Sequence, residues 1–195
     1  MDTRTRLLEV TAEIYAEAGY RGTTTRRIAE AAGVNEVTIF RLFGSKDVLI
    51  KAGLERSNQP GSTPLPAVPV DPSAELYAFV RQVFDHLYRH RFLICRVMGD
   101  MVEHPEIAPS VCDEPNNEHC QIAGYLTRMR DHGLTRKEFM PEAAAGLLFG
   151  AVLTHALWRD QIPDLPPADV VLRQFVDLAL TAVGAEVTAP AARAS

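Results

Sequence analysis

Cysteine, tryptophan and long apolar runs are scarce in this chain. Three cysteines occur, Cys95, Cys112 and Cys120, with no C-x-x-C pair among them. An odd, unclustered set argues against a disulfide framework and fits a reducing cytoplasm, the compartment expected for this protein. The longest uncharged stretch is the sixteen residues from Ala143 to Trp158, interrupted by Gly146, Gly150 and His155. A membrane span needs about twenty predominantly apolar residues, so a buried helix is expected there and no membrane partner. Arg4, Arg6, Glu9, Glu13 and Glu17 are spread through residues 1–20, which excludes the apolar centre of a secretory signal. Ser-His-Asp spacing, a glycine-rich phosphate loop and paired catalytic carboxylates are missing too, so neither an enzyme nor a cofactor is expected.

Metal-ligand patterns are equally thin. His86 and His90 are four residues apart and would share a helix face, but no H-E-x-x-H accompanies them. Cys112, Glu118, His119 and Cys120 lie close in sequence at a spacing that matches no established ligand set. Solvated histidines and a loop account for both groups, and no metal is expected.

What the chain does have is concentrated near its start. Residues 20–46 carry Arg21, Arg26, Arg27, Arg41 and Lys46 against Glu30 and Glu36, net +3 in a chain whose net charge is −5. A basic head on an acidic body suits a protein that presents one end to phosphates, although a run of arginine alone is usually a solvated helix face. The pattern of helix signals is more specific. Thr24 is a good N-cap, and Ile28, Ala29 and Ala32 follow at helical spacing. Gly33 stops that helix. Asn35 can cap a second one through Val37, Ile39, Phe40 and Phe43, which Gly44 ends before Ser45 caps a third. Two short helices around a glycine-containing turn form a helix-turn-helix, whose second helix lies in the DNA major groove.

These residues resemble the tetracycline-repressor (TetR) family of bacterial regulators. The resemblance rests on Gly19-Tyr20, Thr23-Thr24, Ile28-Ala29, Ala32-Gly33-Val34, Thr38-Ile39-Phe40, Phe43, Ser45-Lys46-Asp47 and Leu49, without a gap, within residues 5–55. It implies that Thr25 and Lys46 bind phosphates and that Arg26 reaches a phosphate or a base edge. Glu36, Val37, Thr38, Phe40 and Arg41 would then face the groove, with Arg41 the best reader of guanine. Three departures from the family pattern stand out: Phe40 in place of Tyr, Leu42 in place of His or Tyr, and Val37 in place of Gly. They remove polar contacts and suggest some apolar readout, such as contact with a thymine methyl.

The expected fold is all-α with about nine helices. A three-helix helix-turn-helix domain covers 1–57, and a helical ligand-binding and dimerisation domain covers 73–195. The segment 58–72 holds five prolines and one glycine and reads as a linker. Beyond it, periodicity predicts helices near 71–89, 92–102, 118–132, 142–159 and 168–183, with irregular chain over 106–117. The last two helices are apolar on more than one side, so one face needs a partner. The resemblance implies that they pair with their copies across a two-fold axis, through a face that includes some of Leu153, Leu157, Phe175 and Leu178. Phe79, Phe84, Met98, Met101, Tyr125, Met129, Phe149 and Trp158 could line a pocket for an apolar or aromatic effector; residues at such spacing are more often plain core, and the resemblance raises the odds of a pocket.

The expected function is a ligand-responsive transcriptional regulator. It would act as a homodimeric repressor on a double-stranded, pseudo-palindromic DNA operator. An effector-independent dimeric DNA-binding protein is one alternative. An all-helical enzyme or adaptor without DNA binding is the other.

Overall fold

The computed structural model describes residues 2–57, 63–107, 117–136 and 138–186. Among them are nine α-helices and no strand: α1 (Thr3–Gly22), α2 (Thr25–Ala32), α3 (Glu36–Phe43), α4 (Lys46–Ser57), α5 (Pro72–Arg89), α6 (Arg91–Asp100), α7 (Glu118–Asp131), α8 (Pro141–Trp158) and α9 (Ala168–Ala182). A 3-10 turn covers Pro105–Ile107, at the start of the stretch expected to be irregular. Cys112 and Asn116 lie outside the described residues.

The helix boundaries have chemical causes. The Thr24 hydroxyl accepts the Arg27 N–H at 3.2 Å and opens α2. Gly33 closes that helix at φ 66°, ψ 37°, a left-handed conformation that costs glycine little. The Asn35 side chain accepts the Val37 N–H at 2.9 Å to open α3, and Ser45 accepts the Val48 N–H at 3.2 Å to open α4. Asn117, read as part of an irregular segment, does the same for α7 by accepting the Cys120 N–H at 2.7 Å. Pro141 begins α8, where its missing N–H would have no helical partner anyway.

The helices divide into two compact units. The first comprises residues 1–59 and 90–113, and the second residues 60–89 and 114–195. In the first unit, Leu7 and Ile14 of α1, Ile28, Ala29 and Ala32 of α2, Ile39 and Phe43 of α3 and Leu49 of α4 form one buried cluster. A second cluster joins Tyr15, Ile50 and Leu54 to Val97 and Ile107. Helix α6, which sequence periodicity attached to the second domain, therefore packs in the first unit. Gly53 lets α4 lie directly on α1: a Cβ there would sit 3.1 Å from the Leu8 carbonyl oxygen.

In the second unit, α5 packs on α7, α8 and α9, and α8 packs on both α7 and α9. The core stripe of α5 is Leu76, Phe79, Val80, Val83, Phe84 and Leu87. Facing stripes come from Ile122, Tyr125, Leu126 and Met129 of α7, Ala145, Leu148, Val152 and Ala156 of α8, and Leu172, Val176 and Leu180 of α9. The opposite side of α8 and α9 stays apolar yet open, with Leu147 76% and Leu178 64% exposed. Burying a leucine is worth about 1.5–3 kcal/mol, so each such residue forgoes that stabilisation unless a partner covers it.

Candidate nucleic-acid interface

Helix α3 is amphipathic in the sense a recognition helix requires. Ile39 and Phe43 anchor it in the first unit's core, and Leu42 packs beside them, partly buried. Leu42 therefore supports the core, and the absence of a polar side chain at this position is a packing choice. Val37 is 70% exposed and Phe40 49% exposed. Arg41 is exposed, and no hydrogen bond or ion pair from the described residues holds it. Thr38 is half-buried on the same helix. Arg41 lies one turn beyond Val37, and Phe40 one turn beyond Glu36, so the free face alternates charge with apolar contact surface.

Helix α2 and the N-terminal end of α3 border a notch lined by Arg26, Ala29, Glu30, Val34, Asn35 and Glu36. The Thr25 hydroxyl donates to Glu36 Oε2 at 2.7 Å. Arg26 Nε donates to Glu30 Oε1 at 3.0 Å, and both partners are exposed. The Glu30 hydrogen bond first, then the charges of Glu30 and Glu36, raise the Arg26 pKa further above its ordinary value.

Lys46 sits at the first residue of α4 and is half-buried. Its Nζ donates to the Tyr20 carbonyl at 2.9 Å and lies 3.9 Å from the centre of the Tyr20 ring, a cation–π contact. The Tyr20 hydroxyl donates to Asp47 Oδ1 at 2.6 Å, and its ring stacks on His104 at 3.7 Å. The Asp47 hydrogen bond, followed by burial, pushes the Tyr20 phenol up to about 12. Tyr20 thus links the lysine to the segment after α6, a role that no local spacing in the sequence signals.

Of the eight residues considered for an effector pocket, six lie in the second unit and two in the first. Phe79, Phe84, Tyr125 and Met129 are buried core of the second unit. The Tyr125 hydroxyl is engaged with Glu75, whose other oxygen accepts the Val70 and Asp71 N–H groups at the start of α5. Phe149 is half-buried and Trp158 exposed. Met98 and Met101 belong to the first unit, where Met101 packs against the cluster of Tyr15, Ile50, Leu54, Val97 and Ile107.

The residues considered for a dimer face lie on α8 and α9. Leu153, Leu157 and Phe175 are half-buried and Leu178 is open. A shallow apolar groove runs along α8 and α9 past Gly146, Gly150, Thr154 and Phe175. His155, 6% exposed, lies at its floor between Phe84 and Phe175. Arg159 Nη1 donates to His155 Nε2 at 3.0 Å. Burial first, then the Arg159 charge, lowers the His155 pKa and keeps the imidazole neutral. Among the described residues, no three His, Cys, Asp or Glu side chains converge as metal ligands, and no helix is long and apolar enough to cross a membrane.

Comparison with known proteins agrees with this geometry. The family model described as bacterial regulatory proteins, tetR family, matches residues 7–52. The uncharacterized HTH-type transcriptional regulator YvkB of Bacillus subtilis (strain 168) is 25% identical over 84% of this chain and 88% of its own length. A transcriptional regulator from Rhodococcus sp. Rha1 has the same fold, with a TM-score of 0.68 at 22% identity over 96% of this chain and 100% of that one. The flavonoid-responsive regulator FrrA superposes with a TM-score of 0.69 at 18% identity, over 93% of this chain and 94% of its own.

Proposed function

The chain belongs to the TetR family of helix-turn-helix transcriptional regulators, and from that premise we propose that it is a homodimeric repressor released from a pseudo-palindromic operator by a small apolar effector. The observation that carries the DNA-reading part is the open face of α3, where Val37, Phe40 and Arg41 are exposed on a helix anchored by Ile39 and Phe43. Base reading is assigned to Glu36, Val37, Thr38, Phe40 and Arg41. Lys46 has one N–H engaged with Tyr20 and two remaining for a phosphate.

Two half-sites need two heads, and the open apolar face of α8 and α9 supports their pairing in a two-fold dimer. DNA reading is assigned to residues 1–57, with 58–72 as the joining segment and the effector and dimer functions in 73–195. Within that last stretch α6 packs with the first unit and follows α5 after the single residue His90, so it is one covalent route, beside the 58–72 segment, by which an effector would reach the head.

A small apolar effector is supported by the aromatic content of the second unit and by the flavonoid response named for one structural relative. One observation favours an effector-free regulator instead: Phe79, Phe84, Tyr125 and Met129 are already fully engaged as core.

Footprinting the DNA upstream of the chain's own gene tests the central reading. Two protected half-sites with centres about one helical turn apart or a little more are expected, with affinity falling steeply between about 50 and 200 mM salt. A single unrepeated half-site, or affinity indifferent to salt, would overturn it.

A further inference from the structure

We infer that Glu36 reads a cytosine in each half-site and that Thr25 is the residue that positions its carboxylate, rather than a phosphate contact. The inference rests on the DNA-reading role proposed above. Thr25 owns one hydroxyl proton, and it is donated to Glu36 Oε2 at 2.7 Å. A phosphate oxygen can only accept, so the same hydroxyl cannot hold the backbone while this bond persists. A phosphate brought up to Thr25 would also stand against the Glu36 carboxylate, and like charges at that range repel. The pair therefore turns the Thr25 corner away from the backbone.

Glu36 is the first residue of α3, and the N-terminal residues of a recognition helix are those that contact base edges. Its second oxygen, Oε1, takes no hydrogen bond from the described residues. An ionised carboxylate accepts and never donates. In the major groove the bases offer two donors, the N4 amino group of cytosine and the N6 amino group of adenine. Adenine places its N7 acceptor beside N6, which repels a carboxylate, whereas cytosine places a C–H there. Cytosine is the base that fits. Arg26, exposed and tied to Glu30, does not neutralise Glu36 by a direct hydrogen bond, so the carboxylate keeps its acceptor character.

The test is parallel selection from a randomised double-stranded DNA library with the full chain and its variants. The wild type should enrich a two-fold related motif with cytosine favoured about tenfold at one position of each half-site. Glu36→Ala should lose preference at that position alone. Glu36→Gln should move the preference to adenine, because an amide can donate to N7 while accepting from N6. Thr25→Val should weaken the cytosine preference severalfold, and Thr25→Ser, which keeps the hydroxyl, should retain it. The assignment is overturned if both Glu36 variants keep the wild-type preference at every position. It is also overturned if Thr25→Val weakens all sequences alike, the mark of a backbone contact. A wild type that enriches no motif would overturn the DNA-reading role as well, an outcome distinct from the other two.

Discussion

The Tyr15 hydroxyl donates to Asp100 Oδ2 at 2.8 Å and so joins α1 to α6 across 85 positions of sequence. The same oxygen accepts the Tyr20 N–H at 2.9 Å. Tyr15 is fully buried, so its hydroxyl has no water to fall back on. Replacing it with Phe removes one charge-assisted hydrogen bond and leaves the ring packing intact. Tyr15→Phe is expected to cost about 1.5–3 kcal/mol, read as a lower urea midpoint with an unchanged slope. A shift below a few tenths of a kcal/mol would mean that Asp100 finds an equivalent donor.

Asp100 also gives the fold an acid limit. Burial by itself would raise its pKa; the Tyr20 and Tyr15 hydrogen bonds, with the charges of Arg96 and His104, outweigh burial and hold it below the ordinary aspartate value. A carboxylate whose folded value is depressed contributes stability above its unfolded value. That contribution is lost as pH falls through the folded value. Urea midpoints should therefore be flat in this respect from about pH 7 to 5 and fall below about pH 4. The decline should be shallower in Asp100→Asn. Equal acid sensitivity in the variant would assign the limit to other carboxylates.

Much of this head was legible because its signals are local. Thr24, Gly33, Asn35 and Ser45 act within three residues of themselves, and their caps and stops are the ones the structure contains. The long-range contacts were not legible. Periodicity puts Val97 and Met101 on an apolar stripe but does not say which core the stripe meets, and here it meets Tyr15, Ile50 and Leu54. Tyr125 falls among the pocket candidates because the sequence carries no trace of its tie to Glu75, fifty residues away. Leu42 looks like a missing DNA contact in the sequence, since a helix of eight residues leaves the border between core and free face open to either assignment.

Arg41 and Lys46 should fail differently when truncated. Arg41 is exposed and held by no described residue, so Arg41→Ala should leave thermal stability unchanged, cost about 1–3 kcal/mol on the operator and relax base choice at one position. Lys46 holds the Tyr20 carbonyl and ring as well as any phosphate. Lys46→Ala should lower stability by about 1 kcal/mol and weaken binding to all sequences by a similar factor. Melting curves and binding to operator variants separate the two. Uniform loss for both would remove Arg41 from the base-reading set.

The open face of α8 and α9 makes a sharp prediction because exposure and burial alternate along it. Leu178 is 64% exposed and Leu172 is fully buried on the same helix. Leu178→Asp should fold and give monomers, since the new charge is solvated in one chain and stranded in a dimer. Leu172→Asp should unfold the second unit in either state. Sedimentation together with circular dichroism reads both. A Leu178→Asp protein that keeps its helix content and remains dimeric would move the interface off this face.

The effector reading requires reciprocity. A ligand releases DNA only if it binds more tightly to the form in which the heads no longer fit the half-sites. By linkage, operator DNA must then lower ligand affinity by the same factor, about 5–150-fold for an ordinary coupling of about 1–3 kcal/mol. Thermal-shift screening of apolar aromatic compounds supplies the candidates. Each hit is then titrated with and without operator. Phe149 is half-buried, so Phe149→Ala should weaken such a ligand while leaving most of the stability in place. Phe79 is 2% exposed, and Phe79→Ala should cost about 3–5 kcal/mol with or without ligand. A hit whose affinity ignores the operator would sink the switch and leave the effector-free regulator as the better reading.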